Sequence, residues 1–501
     1  MKIFDAKTIR EIDAYTIENT PISSIDLMEK AARTIFEFII NHYPKETEFY
    51  VFAGEGNNGG DAFALARMLL LVNYKVHVFA VFPSNNLSPD CKKNYEQLLN
   101  INYPIILLNS DLDFPKIEEN AIIVDGLLGS GLNRPLSGIY AFVVEKINEA
   151  KTEIIAIDIP SGLYSDYLNT ENNVAIKATY TISFQFPKLI FMLPESEPFV
   201  GQFILTDIGL DKDYIEQKKS SFNYVTIEEA KKLLKKRVRF AHKGNFGHAL
   251  LITGSYGKMG AAILSAKACL RSGTGLVSVY SARGGNNILQ TSIPEAMFIS
   301  DKNEKIITQI PKETNEYTVI GCGCGIGKQK KTAKAIKHLL IYANKPLVLD
   351  ADALNIIAEN GWQKLIPKNS IITPHPKEFE RLTGKASSSL ERLEKAVEFA
   401  KKLEIIVILK GANTAIVLPI GKVFFNSTGN SGMATGGSGD VLTGIITGLV
   451  AQKYSPSEAA ILGVYLHGLA GDMALKNNSQ ESLLAGDIIE NICEAYSSLH
   501  K

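Results

Sequence analysis

Only five cysteines stand in 501 residues, too few for a disulfide scaffold and odd in number, so reduced thiols are expected. No run reaches the roughly 18 consecutive apolar residues that a membrane span needs. The opening MKIFDAKTIREID is charged from Lys2 onward and carries no apolar secretion core, so a cytoplasmic location is expected. Neither sign of charge is in excess: Lys plus Arg and Asp plus Glu both number 53, leaving no net field to recruit nucleic acid or an anionic membrane. Apolar residues are abundant at 46% of the chain, ample for sizeable cores and unlike a disordered polypeptide. At about 150 residues per domain the length fits three domains or two large α/β ones.

Cys322 and Cys324 lie in GCGCGIG. A C-x-C pair is a soft-metal motif, but no second pair or nearby His completes a four-ligand site, and the segment reads as a glycine-rich strand end.

Short Val- and Ile-rich runs recur with helical patterns between them: EFYVFAG (48–54), YKVHVFAVF (74–82), AIIVDG (121–126) and EIIAIDIP (153–160). Continuous apolar strands alternating with helices predict an α/β fold with a parallel sheet covered on both faces. The pattern weakens between about 207 and 225 and resumes with GHALLITG (247–254), TGLVSVYSA (274–282), YTVIGCG (317–323), KPLVLDADAL (345–354), EIIVILKG (404–411) and TAIVLP (414–419). Two domains, 1–215 and 216–501, are therefore expected.

The most informative stretch is NSTGNSGMATGGSGDVLTGIITGLVAQ, from Asn426 to Gln452. Gly429, Gly432, Gly436, Gly437 and Gly439 precede an apolar helical pattern. A glycine-rich turn opening a helix aims backbone N–H groups and the positive dipole end at one point, where an anion binds. Asp440 starts that helix. A carboxylate beside an anion hole is electrostatically misplaced unless it takes a proton from a group reacting there, so Asp440 is expected to be a general base, although alone it would read as a cap. Lys410, Gly411, Ala412, Asn413 and Thr414 follow an apolar strand, at the edge where ligands bind in open α/β sheets. His375, between Pro374 and Pro376, fits a loop anchor and a ligand contact equally well. Asp350 and Asp352 fit a magnesium–phosphate network and strand-end caps equally well.

The turn Gly437, Ser438, Gly439, Asp440 resembles the GxGD signature of the ribokinase-like fold, in which the glycines hold the transferring phosphoryl group and the Asp activates a hydroxyl. HKGNFGHALLITGS (242–255), MGAAILSAKACLRSGTGLVSV (259–279), LDADAL (349–354), TPHPKEFERLTG (373–384) and KGANTAI (410–416) narrow the resemblance to the ADP- or ATP-dependent NAD(P)H-hydrate dehydratase family, over about 240–495. That resemblance implies that residues 410–414, with Asn430, Ser431, Gly432, Met433, Ala434, Thr435, Gly436, Gly437, Ser438 and Gly439, clasp the adenine nucleotide. It also implies that Gly260, Gly325, His375 and Asp440 face the hydrated nicotinamide nucleotide. The chain departs from the pattern at Lys377, where the family usually has Gly.

In the first half, AGEGNNGGDAFALARMLL again places a glycine-rich turn after a strand and before a helix, a geometry for phosphate. Asp125, the loop GLLGSGLNRP (126–135), Asp158 and Ser161 stand at further strand ends and are expected to converge on one crevice. Asn58, Asp125 and Ser161 offer oxygen donors for a hard cation, leaving Asp158 for proton transfer. NNGGD (57–61), DGLLGSGLNRP (125–135) and AIDIPSGL (156–163) resemble the NAD(P)H-hydrate epimerase family, whose domains are Rossmann-like and three-layered. This implies potassium on Asn58, Asp125 and Ser161. It implies substrate on Asn57, Asn58, Gly59, Gly60, Asp61, Gly129, Ser130, Gly131, Leu132, Asn133, Arg134, Pro135 and Asp158.

The two resemblances together imply repair of hydrated NADH and NADPH: epimerisation of the R and S hydrates, then dehydration of the S hydrate with Mg²⁺ and ADP, giving AMP and phosphate. They also imply a homo-oligomer. An alternative keeps the C-terminal fold as a kinase for a small vitamin precursor, with a nucleotide-sensing N-terminal domain; a stable phosphorylated product would decide for it.

Overall fold

Apolar runs buried along their whole length form inner strands of a sheet covered on both faces. The computed structural model, which describes residues 1–109, 113–169, 173–311 and 314–500, contains two such sheets. The chain divides into two compact units, Lys2–Ser220 and Ser221–Lys501, the second including Met1. The sequence boundary at 215 falls inside a short helix, Lys212–Gln217, none of whose residues is buried. With no apolar stripe, that helix has no periodicity to read.

In the first unit β1 (Glu48–Ala53), β2 (Lys75–Ala80), β3 (Ile105–Leu107), β4 (Ile122–Gly126), β5 (Glu153–Ile157), β6 (Tyr180–Phe184) and β7 (Gln202–Thr206) pair in the order 3-2-1-4-5-6-7. Every pairing is parallel. The helices used below are α1 (Ala6–Asn19), α2 (Ser24–His42), α3 (Asn57–Leu71), α4 (Pro89–Asn100) and α5 (Gly138–Glu149). Alternate strand residues point to opposite faces. Phe49, Val51, Val76, Val78 and Val124 pack with Ile35 and Ile39 of α2 and Leu65 and Leu69 of α3. Tyr50, Phe52, Phe79 and Ile123 pack with Val143, Val144 and Ile147 of α5. Three layers result. The strand order reverses between β1 and β4, which opens a crevice at their C-terminal ends.

In the second unit β8 (Phe222–Val225), β9 (His248–Ile252), β10 (Leu276–Ser281), β11 (Met297–Ser300), β12 (Val319–Cys322), β13 (Leu347–Leu349), β14 (Ile371–Ile372), β15 (Ile406–Leu409), β16 (Ala415–Val417) and β17 (Val423–Asn426) run in the order 8-17-16-15-14-13-12-9-10-11. Neighbours pair in parallel except at β15–β16 and β16–β17. Residues 410–414 alone join β15 to β16, too few for the crossover a parallel pair requires, so the expected strand–helix alternation gives way to a hairpin. The helices that matter are α6 (Met259–Arg271), α7 (Ala351–Asn360), α8 (Pro376–Thr383), α9 (Ser438–Ala451) and α10 (Pro456–Ala474). Helix α9 is buried nearly all round, as its VLTGIITGLVA composition demands. It lies so close to α6 that a Cβ on Gly444 would come within 2.2 Å of the Ser265 carbonyl oxygen. That contact fixes where the start of α9 points. Among the described residues no helix is long and apolar enough to cross a membrane.

Candidate active sites

In the first unit the glycine-rich turn after β1 runs straight into α3. A Cβ on Gly59 would sit 1.9 Å from the Gly54 carbonyl oxygen, so only glycine lets the helix start press on the strand end. The crevice is a cavity of about 600 Å³ lined by Asn57, Asn58, Asp61, Gly129, Ser130, Gly131, Leu132, Asn133, Arg134 and Asp158 of the expected set. Gly59, Gly60 and Pro135 are outside that lining. Ser88 Oγ donates to Asn57 Oδ1 at 2.8 Å.

Behind the cavity Asp125 is fully buried. Its carboxylate accepts from Ser161 Oγ at 2.6 Å, from the Ser161 N–H at 2.8 Å and from the Leu127 N–H at 3.2 Å. Burial pushes it up to about 6 against the pull of these bonds. Asn58 Nδ2 donates to the carbonyls of Leu128 and Ile157 at 3.1 and 3.0 Å, and the Leu128 N–H donates to Ser161 Oγ at 2.8 Å. Asn58, Asp125 and Ser161 thus meet around Leu128. Among the described residues only neutral groups donate to the Asp125 carboxylate, and a buried charge with neutral donors alone suits a hard cation on oxygen ligands.

Asp158 follows β5 with φ of 61°. Lys188 Nζ donates to its Oδ1 at 2.6 Å and the Phe184 N–H donates to the same oxygen at 3.1 Å. The Lys188 side chain is 2% exposed and that of Asp158 15%. Lys188 and Asp13 also line the cavity; both escaped the sequence reading. The signal for Lys188 was its isolation within FPKLIFML.

In the second unit Gly437 caps α9 with φ of 93°, a left-handed conformation that turns the preceding loop onto the helix start. Asp440 lies in the first turn. Burial is the largest influence on it and holds its carboxyl above the ordinary range, while a hydrogen bond from the Cys324 thiol and the charge of Lys410 pull the other way. Lys410 Nζ donates to Asp350 Oδ1 at 2.9 Å, and a Cβ on Gly439 would lie 3.4 Å from that ammonium. The Lys410–Asp350 ion pair therefore stands beside the helix start, with Asp350 Oδ2 3.6 Å from the same Cβ position, and the ammonium adds to the partial positive charges there while Asp350 offsets part of it. Asp350 also accepts from Thr443 Oγ1 at 2.8 Å and from the Ala351 N–H at 2.8 Å, capping α7. Asp352 pairs with Lys258 at 3.3 Å and accepts from the Gly327 N–H at 2.8 Å.

Residues 410–414 form the tight β15–β16 turn, closed by Thr414 Oγ1 donating to the Gly411 carbonyl at 2.9 Å; Gly411 and Ala412 are exposed, Asn413 and Thr414 half-buried. Asn430 caps the short helix Ser431–Met433, its Oδ1 accepting from the Gly432 N–H at 3.1 Å. Asp472 of α10 orders this loop, accepting from the Gly429 N–H at 2.8 Å and from Asn430 Nδ2 at 3.0 Å. Ala434 and Gly436 are exposed, Thr435 half-buried. Ser438 Oγ lies 3.3 Å from Nε2 of buried His467. Asp472, His467, Thr443 and Cys324 were not singled out as site residues by the sequence reading.

His375 caps α8, with Nδ1 accepting from the Glu378 N–H at 3.4 Å; its side chain is 46% exposed, so its ring also meets solvent. Burial lowers its pKa. Gly260 stands at the start of α6 with open space at its Cα. Gly325 packs against that segment, a Cβ there falling 3.0 Å from the Lys258 carbonyl. Lys377 is exposed on α8. Cys322 ends β12, and both it and Cys324 are buried.

Two α/β units, one with a crevice at its sheet edge lined by carboxylates and cationic side chains alike and one with a glycine-rich helix start that carries a carboxyl in its first turn beside a lysine, define an enzyme of nucleotide chemistry. Residues 249–494 match the family described as NAD(P)H-hydrate dehydratase, and residues 24–190 the YjeF-related protein N-terminus. The chain is 33% identical to the bifunctional NAD(P)H-hydrate repair enzyme of Moorella thermoacetica, over 98% of this chain and 96% of that protein. Among solved structures, a ribokinase-like superfamily protein from Enterococcus faecalis is 28% identical with a TM-score of 0.50, covering 56% of this chain and 98% of its own. The ADP/ATP-dependent NAD(P)H-hydrate dehydratase of Bacillus subtilis, co-crystallised with ATP and Mg²⁺, is 31% identical with a TM-score of 0.48, covering 55% and 98%. The chain belongs to the family of bifunctional NAD(P)H-hydrate repair enzymes.

Proposed function

We propose that the Lys2–Ser220 unit interconverts the R and S hydrates of NADH and NADPH, and that the Ser221–Lys501 unit dehydrates the S hydrate at the expense of ADP. The observation that carries the second assignment is the start of α9, where Gly437, Gly439 and Lys410 offer positive charge beside the carboxyl of Asp440. Asp440 takes the proton of the ring hydroxyl as that oxygen attacks the β-phosphate of ADP. The amides at 436–439 and the Lys410 ammonium receive the phosphoryl charge, and AMP departs. Hydroxide is a poor leaving group and phosphate a good one. Ring-nitrogen electrons expel the phosphate, and loss of the neighbouring ring proton restores the reduced dinucleotide. Mg²⁺ supplies charge neutralisation on the nucleotide phosphates. Asp350 and Asp352 are already engaged with Lys410 and Lys258, so no step is assigned to a metal on them.

In the first unit Asp158 assists the hydroxyl in leaving and in returning on the other face. Asn58, Asp125 and Ser161 would hold potassium, which supplies positive charge towards the substrate phosphates. The test of the dehydratase reading is stoichiometry. Purified S hydrate and ADP should yield one AMP and one phosphate for each reduced dinucleotide recovered; a stable phosphorylated product instead would make the unit a kinase.

A further inference from the structure

Epimerisation breaks a C–O bond on one face of the nicotinamide ring and makes one on the other. A hydroxyl must gain a proton to leave as water, and the water that adds must lose one. The ring-nitrogen pair and the planar cation it generates balance the electrons, so no external reductant or oxidant is needed. Asp158 alone would have to reach both faces of the ring; a second proton-transferring group would divide that work, and the fold supplies a candidate from an element the motifs do not touch.

Helix α1 turns Ile9, Arg10, Asp13 and Ile17 into the cavity; the spacing of 9, 13 and 17 puts them on one helical face. Asp13 is thus a carboxyl set between two isoleucines on a wall separate from the β5 end that carries Asp158. No hydrogen bond or ion pair engages its side chain among the described residues, whereas Asp158 Oδ1 receives Lys188, Phe184 N–H and Ser183 Oγ. A half-buried carboxyl facing a cavity without a protein partner is poised for a ligand. Arg10, Asp61, Arg134, Asp158 and Lys188 are the other charged groups lining the space.

We propose that Asp13 is the second proton-transferring side chain of the N-terminal site, working with Asp158 from another wall of the cavity as the hydroxyl leaves and returns. This rests on the epimerase reading of that unit. Burial, reinforced by the charge of Asp158 and opposed by Lys188, pushes Asp13 up to about 6, so near neutrality it both gives and takes a proton. Burial, with the charges of Asp158 and Asp13 behind it, raises Asp61 as well. When Asp13 gives the proton that lets the hydroxyl leave, the rate falls as pH rises through its value near 6.

Without ADP the second unit performs no dehydration, so R-to-S exchange can be followed alone by chromatographic separation of the epimers. Wild-type protein that fails to exchange them would overturn the epimerase reading itself. Given exchange, Asp13→Asn should lower kcat by about 10²–10⁴, leave KM within about threefold and abolish the limb near pH 6; Asp13→Glu should restore part of the rate with the limb present. ADP-dependent turnover of S hydrate should be unchanged in both, confirming a folded chain. Exchange by Asp13→Asn within threefold of wild type, or a slowed reaction that keeps the pH limb, would overturn the role of Asp13.

Discussion

Replacing Asp440 by Asn isolates proton removal from nucleotide binding. Asn has the shape of Asp, and its carbonyl oxygen can still accept from Cys324, the partner the carboxylate has now. The charge it loses lies in the first turn of α9, where a carboxylate gains about 0.3–1 kcal/mol from the helix dipole but costs desolvation, so the start of α9 should stay folded. What disappears is the base. General-base catalysis contributes about 10²–10⁴ in rate, or about 3–5 kcal/mol of barrier at 1.36 kcal/mol per decade. Removing a negative charge beside the phosphate site cannot weaken an anionic ligand electrostatically. Asp440→Asn should therefore lose at least a hundredfold in turnover of S hydrate, read as recovery of the near-ultraviolet absorbance of reduced nicotinamide. Its Kd for ADP by calorimetry should be equal to or lower than that of wild type. Turnover within tenfold of wild type, or a tenfold loss of ADP affinity, would refute the assignment.

Asp350→Ala strips the acceptor from Lys410, Thr443 Oγ1 and the Ala351 N–H at a side chain only 2% exposed; the denaturant transition of the second unit should lose about 3–5 kcal/mol, and Asp350→Asn distinctly less. Gly437→Ala forces φ of 93° on a residue with a Cβ that meets Leu264 at 2.4 Å, so it should cost about 1–3 kcal/mol of stability and weaken ADP binding, both measurable on one purified sample. Burial lowers His467 to about 4 from an ordinary 6.5. Between those values the unfolded chain takes a proton that the folded one refuses, so stability is full above 6.5 and is lost as pH falls, by on the order of 3 kcal/mol. His467→Gln should flatten that part of the urea-midpoint profile, and an unchanged acid limb would contradict the buried neutral imidazole.

The features legible in the sequence were those written locally. The turn before α9 and the turn before α3 each place glycines, a polar residue and an apolar helix within one short stretch, so periodicity and turn chemistry alone located them. The partners that complete each site arrive from far along the chain. Lys188 returns to Asp158 from beyond β6, Asp13 lies on α1 with nothing in its neighbours to mark it, and Asp472 reaches the 429–430 loop from α10. Asp350 shows the limit differently: a cap and a functional partner have the same sequence signature, and here one carboxylate does both, capping α7 while it holds Lys410. Very short strands such as β14, with two residues, are set by their neighbours in the sheet and not by their own composition.

The central claim is that one chain carries both halves of the repair. It is tested by giving purified protein a mixture of R and S hydrates with K⁺, Mg²⁺ and ADP and following the absorbance of reduced nicotinamide to completion. Recovery of the whole mixture, falling to the S fraction alone in Asp158→Ala, is the predicted result. Recovery in the wild type that halts once the S epimer is spent would contradict it.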